Sequence, residues 1–256
     1  MADGRIDVVL VCGGRYHDFD FARVELLKLL QEHERIRVRV LEDYENTAVL
    51  RAAQFLVTYT CDIAPSEVAQ QELHSWLKSG GRWFALHGTN SVIRFLSRKP
   101  MRIGTPRGAP LFMDMLGSQF LGHPPIGPYR VDISDPGHAL TRGLEAFDTT
   151  DELYLQEYHG SNHALLHAHF DGVTPEFERT DWHADPRHLV WYLHPHGAGE
   201  VMYLTLGHCR GRYDMEPLMK EYPRLERCSW ELPVYYELLR RGIRWGAGLD
   251  QVVSGR

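Results

Sequence analysis

The stretch "RWFALHGTNS", Arg82 to Ser91, decides the fold. Trp83 to Leu86 are apolar or aromatic without a break, which suits a strand buried on both faces, as in a parallel sheet covered by helices. His87 and Gly88 end the run, and Gly88 gives the backbone the freedom that a sharp strand-to-helix elbow requires. A nucleophilic Ser or Cys often stands on such an elbow. Here the position holds His87, whose imidazole suits a general base, a proton shuttle or a neutral metal ligand.

The same grammar extends in both directions. "IDVVLVCGG" (Ile6 to Gly14) predicts a buried first strand closed by a glycine pair, "FARVELLKLLQEH" (Phe21 to His33) a helix, and "IRVRVLED" (Ile36 to Asp43) an alternating strand. "FLVTYT" (Phe55 to Thr60) predicts another strand, and "PSEVAQQELHSWLKSGG" (Pro65 to Gly81) a helix with Pro near its start and Gly at its stop. Strands alternating with helices imply a doubly wound α/β sheet whose ligands sit at the carboxyl ends of its strands. Ile6–Cys12 and Arg82–Leu86 are expected as parallel neighbours in its middle.

From Gly104 to Pro128 the sequence is dense in Gly and Pro, which predicts a long functional loop holding one short helix. That loop is expected to wall the ligand cleft together with Tyr154, with His123 near the rim. "YRVDIS" (Tyr129 to Ser134), "ALLHAHF" (Ala164 to Phe170), "HLVWYLHP" (His188 to Pro195) and "GEVMYLTLGH" (Gly199 to His208) read as strands that extend the sheet, partly antiparallel because no long helices link them. "PVYYELLRRGIRWGAG" (Pro233 to Gly248) is the last helix. No linker or internal repeat stands out, so residues 1–256 are read as a single domain.

Composition narrows the partners. The 256 residues are 43% hydrophobic, and 34 acidic against 28 basic residues give a formal charge of −6 without a Lys/Arg block. That pattern carries no footprint for nucleic acid or an anionic membrane, so a small-molecule ligand is expected, and a homo-oligomer is compatible with it. The apolar run near the N-terminus is too short for a signal peptide or a membrane span, which predicts a cytoplasmic protein. Cys12, Cys61, Cys209 and Cys228 form no CxxC pair, which argues against a zinc ribbon or a disulfide framework. Histidine is abundant, at 15 residues, and surface placement accounts for many of them, including the four between His159 and Phe170.

Four segments place a His or carboxylate just after a strand or at a loop edge: "GGRYHDF" (Gly13 to Phe19), "ALHGTNS" (Ala85 to Ser91), "TDELY" (Thr150 to Tyr154) and "LGHC" (Leu206 to Cys209). His17, His87 and His208 are candidate metal ligands or acid/base groups. Asp18 is either a helix cap or a ligand contact. Asp151 and Glu152 are adjacent, so only one can face a site from an extended segment, and Glu152 is the choice. The HxxxH of His163 and His167 has ligand spacing on a helix, but it lies in a predicted strand, where that spacing loses its meaning. If His17, His87, His208 and Glu152 share one metal with bonds of about 2.0 to 2.2 Å, their ligating atoms lie no more than about 4.4 Å apart.

In order and spacing, "GGRYHDF", "FLVTYTCD", "GGRWFALHGTNS", "LGSQFLGHPP", "VDISDPGHALTRGLEAFDTTDELY", "VWYLHPHGAGEVMYLTLGHC" and "LLRRGIRW" together resemble the ThuA-like family of trehalose-utilisation proteins, over roughly residues 7 to 246. The resemblance implies a flavodoxin-like three-layer sandwich with a mainly parallel central sheet, like class I glutamine amidotransferases. It sets His87 where an amidotransferase carries the Cys of GxCxG. Without that thiol the covalent route from glutamine is closed. The family context points to sugars and 3-keto sugar intermediates. This sequence has Ala139 where the family has Pro in "HPIT", and Ala198 and Glu200 where a basic GKGR is usual, which suggests a different ligand.

The leading expectation is an enzyme acting on a carbohydrate or related polyhydroxylated or keto substrate by isomerisation, elimination or hydrolysis. His87, Glu152 and His17 are its candidate catalytic groups, and Asp18, Tyr154 and His123 its substrate contacts. His17, His87 and His208 would hold a divalent metal (zinc, manganese or iron) able to polarise a carbonyl. The alternative is a non-catalytic sugar-binding or regulatory module in which Tyr154, Trp182, Trp191 and Tyr213 stack on sugar faces.

Overall fold

The computed structural model describes residues 4–249. A nine-stranded sheet runs in the order β2-β1-β3-β4-β13-β12-β11-β8-β9. The first five are β2 (Ile36–Leu41), β1 (Ile6–Gly14), β3 (Phe55–Cys61), β4 (Arg82–Leu86) and β13 (Gly199–Leu204), and they are parallel. The other four, β12 (Arg187–His196), β11 (His163–His169), β8 (Gly127–Ile133) and β9 (Phe147–Asp151), pair antiparallel. Direction reverses at each of those four steps, so β11 and β9 point the same way as the parallel five.

Helices cover both faces because the central strands are apolar on both. On one face Val8, Leu10 and Cys12 of β1 pack with Leu26 and Leu30 of α1 (Phe19–Gln31) and Leu238 and Ile243 of the last helix, α5 (Pro233–Gly246). On the other, Val9 and Val11 pack with Leu50 of α2 (Thr47–Arg51), Leu73 and Leu77 of α3 (Glu67–Lys78) and Phe112 of α4 (Pro110–Leu116). Successive strand residues alternate between the two clusters, as the pleat requires. Side-chain caps fix the starts of α1 and α3, where Asp18 accepts from the Phe21 N–H and Ser66 from the Ala69 N–H.

One expectation fails: β1 and β4 are not neighbours, because β3 lies between them and pairs with both. Every residue of β3 is buried, so it holds the centre. An unbroken apolar run reports burial on two faces but carries no information about which strand lies alongside.

The segment after Gly104 is also more ordered than a loop. It contains α4 and then β7 (Ser118–Gly122), which pairs antiparallel with β10 (Leu155–Tyr158) and sets Leu155 opposite Gly122. That register brings His123 next to Tyr154 and Glu152. Ahead of it, β5 (Arg94–Arg98) and β6 (Met101–Gly104) form a separate hairpin.

Candidate functional site

His17 follows β1, His87 follows β4, Glu152 follows β9 and His208 lies shortly after β13. All four strands point the same way, so their carboxyl ends share one end of the sheet. By sheet order β9 stands four spacings from β13, about 19 Å along a flat sheet. The Asp151 carboxylate nevertheless accepts the backbone N–H groups of Gly207 (2.9 Å), His208 (3.1 Å) and Ser229 (3.3 Å). The antiparallel half therefore coils round to bring Glu152 to the histidines. The adjacent carboxylates divide as expected, Asp151 holding backbone and Glu152 facing the site.

The ligand-type atoms of His17, His87, Glu152 and His208 all lie within 4.8 Å of one another, and all four residues are buried. His17 Nε2 and His87 Nε2 are 2.9 Å apart. Glu152 Oε2 lies 3.5 Å from His87 Nε2, 3.4 Å from His208 Nδ1 and 4.0 Å from His17 Nε2. The spread slightly exceeds the limit of about 4.4 Å for one shared metal, so a shift of a few tenths of an ångström closes the shell.

The other imidazole nitrogens are already committed. His87 Nδ1–H donates to the Thr205 carbonyl (2.8 Å), His17 Nδ1–H to the Arg15 carbonyl (3.2 Å) and His208 Nε2–H to the Glu226 carboxylate (3.0 Å). These bonds select the tautomers whose lone pairs point inward. His208 Nδ1 is buried without a hydrogen-bond partner. Three bare nitrogens and a carboxylate oxygen thus converge out of water, and they repel unless positive charge lies among them. A divalent cation fits that donor set; so do two protons.

The electrostatics agree. Burial, with His87 and His208 close by, holds the His17 imidazole well below its usual range. Burial works against the charged Glu152, but His123 and His208 outweigh it and keep the carboxyl well below the ordinary carboxylate range. Burial also opposes charge on His208, yet Glu152 and Glu226 overcome it and push the imidazole up to about 9. Glu226 also accepts from Arg210 Nη1 (3.0 Å) and the Tyr222 hydroxyl (2.9 Å).

His17 and Glu152 of the cluster line the floor of a cleft of about 500 Å³, with His87 and His208 fully buried outside its lining, and Tyr154, Phe120 and His123 line it too, as expected of the Gly104–Pro128 segment. His123 Nδ1–H donates to the Pro124 carbonyl, and its Nε2 faces Glu152 Oε1 at 3.2 Å. Cys61 also lines the cleft, but burial and the Glu152 charge push its thiol far up, so it supplies no thiolate.

Other sequence expectations are corrected. Asp18 does not line the cleft: it caps α1 and pairs with Arg227 at 2.8 Å. Trp182 and Trp191 are fully buried core residues, and Tyr213 is exposed but outside the cleft lining, so of the four aromatics only Tyr154 lines the cleft. His163 bonds Asp135 and His167 bonds Ser134, away from the cluster. Glu200 stands opposite Arg82 in the β13–β4 register, at the amino end of β4, and Ala139 follows the end of β8 remote from Asp151. Those departures lie at the opposite end of the sheet and say nothing about the ligand. Arg210, Tyr222 and Glu226 were missed because they lie in irregular segments with no strand to place them.

The family model for ThuA, described as trehalose utilisation, matches residues 7–222. The chain belongs to the ThuA family. A putative ThuA-like protein from Parabacteroides merdae is similar to it with a TM-score of 0.66 and 16% identity, covering 98% of this chain and 93% of that one. Another, from Bacteroides uniformis, has a TM-score of 0.63 and 14% identity, covering 96% and 93%. A β-galactosidase from Rahnella sp. R3 shares the fold over 98% of this chain but only 32% of its own length, with a TM-score of 0.54 and 11% identity. No curated protein matches. Among the described residues no helix of this ThuA-family chain is long and apolar enough to cross a membrane.

Proposed function

We propose that this ThuA-family chain is an enzyme acting on a carbohydrate or related polyhydroxylated or keto substrate, by isomerisation, elimination or hydrolysis, with a divalent cation and no cysteine nucleophile. One observation carries the reading: the inward lone pairs of His17, His87 and His208 converge with Glu152 Oε2 while their outer nitrogens donate to two carbonyls and a carboxylate. Such outer partners are the usual support of metal-ligating histidines. A bound cation supplies Lewis acidity at a carbonyl or hydroxyl oxygen of the substrate.

The chain's own groups do the rest. Glu152 stays ionised and fixes the negative charge of the floor. His123 is partly exposed at the rim with its Nε2 3.2 Å from Glu152 Oε1, a position that suits contact with the substrate. Tyr154 stays a neutral phenol because burial pushes its hydroxyl well up, and its ring, 4.7 Å from that of His87, walls the floor.

The test is turnover of a panel of glycosides and 3-keto sugars by protein loaded in turn with zinc, manganese or iron. Loaded wild type is expected to turn over at least one member, and Glu152→Gln to slow it by about 10² to 10⁴. Equal rates for the variant, or no turnover with any cation, contradict the reading. The proton-balanced cluster favours a second reading, a non-catalytic sugar-binding module, for which the same panel gives binding without turnover.

A further inference from the structure

The cleft has two unlike halves. At its floor His17, Glu152, Arg210 and Glu226 are tied to one another or to backbone. Above them its walls are mostly apolar, with His123 and Arg224 as polar members of the lining. Phe95, Met101 and Ile103 of the β5–β6 hairpin form one lip, and Met215, Leu218 and Met219 of the segment after Arg210 form the other. Met101 and Met219 stay 41% and 44% exposed, so both lips present apolar surface to water.

A free sugar is hydroxylated on every edge. Its outer hydroxyls would lose water against these walls and find few partners, at a cost of the order of 1–3 kcal/mol each. A volume of about 500 Å³ falls within the roughly 300–1,000 Å³ of sites that bury whole ligands of drug size. The lips line a concave passage that leads to the cluster, which suits a small molecule entering end-on better than a flat protein face.

Resting on the proposed function, we infer that the substrate is amphipathic: a polyhydroxylated or keto ring at the floor, carrying an apolar substituent about the size of a benzene ring between the two lips. The substituent, and not only the sugar, then sets specificity, because apolar burial there raises affinity roughly in proportion to area.

The experiment measures dissociation constants by calorimetry on metal-loaded protein for methyl, butyl and phenyl glucosides, beside butanol and benzyl alcohol as sugar-free probes. Affinity is expected to rise from methyl to phenyl by about 10-fold or more. Met101→Ser with Met219→Ser should reduce that gain by at least about 3-fold, while Val24→Ser, on the exposed face of α1, should not. A flat series, or a gain indifferent to the lip variant, overturns the inference and leaves the sugar reading intact. Lip-dependent binding of the alcohols without any glucoside binding sustains the apolar subsite and removes the sugar reading. Binding by none of the probes overturns the inference. So does a wild-type dimer that the lip variant converts to monomer, because the lips are then an interface between copies.

Discussion

His87 stands at φ 43°, in the left-handed region that a residue with a side chain normally avoids. Tyr16, Asp62 and Cys228 are the other described non-glycine residues with positive φ, and the first two follow β1 and β3 at the same end of the sheet. Cys228 adjoins Ser229, whose N–H Asp151 holds. Strain collected at one end of the sheet suits a site whose geometry is imposed by its surroundings. The usual order of substitutions should therefore invert at His87: Gly is expected to be more stable than Ala by about 1 kcal/mol in urea denaturation, since only Gly relaxes at this φ. An Ala variant of equal or greater stability would remove the strain argument. Glu226 acts on the cluster through His208. Glu226→Gln should weaken metal affinity by about 10- to 100-fold in a chelator competition while the melting temperature stays near wild type, and an unchanged affinity would contradict its supporting role.

At the scale of elements, the elbow between β4 and the 3₁₀ turn His87–Asn90 depends on a close approach. A Cβ on Gly88 would stand 2.7 Å from the Thr60 carbonyl oxygen and 2.8 Å from Cys61 Cβ, with backbone on one side that cannot yield. Gly88→Ala is expected to cost about 1–3 kcal/mol in denaturant unfolding, and an unchanged midpoint would show that β3 and β4 have slack here. The residues that made this elbow legible are short-range: an unbroken apolar run, then His and Gly. The same rule found the other strand-end histidines, because a polar ring directly after a buried strand has few places to go but the sheet's end. It could not find β3 between β1 and β4, since pairing partners are chosen by crossover and packing. Nor could it see β7 and β10, whose polar Ser118, Gln119 and Gln156 hide two strands, with Ser118 and Gln156 buried in a hydrogen-bonded pair. Trp182 and Trp191 misled for a related reason, because an aromatic ring serves a core and a sugar face equally well and only burial decides.

For the whole molecule, the sheet's coil joins a parallel half that bears three histidines to an antiparallel half that bears Glu152, so global stability and site geometry are linked. Acid should weaken both. His188, on β12, is buried beside Trp182 and Phe170, and burial lowers its imidazole to about 4. The unfolded chain takes up this proton near pH 6.5, whereas the folded chain resists until about pH 4. Stability is therefore full above pH 6.5 and falls as pH drops between those values, by up to about 3 kcal/mol from this group. In His188→Phe the acid-side slope of unfolding free energy over that window should flatten by up to one proton; an identical slope would assign the loss to other groups.

The central claim is that His17, His87, His208 and Glu152 are a cation site, and metal content tests it most directly. Protein purified without a His-tag and without added metal, then dialysed against dilute zinc, manganese or iron, should hold about one cation per chain by elemental analysis. His87→Ala and Glu152→Gln should hold far less while keeping a native circular dichroism spectrum. Substoichiometric metal in the wild type under all three cations, or full retention in both variants, would contradict the account and leave a cluster balanced by protons.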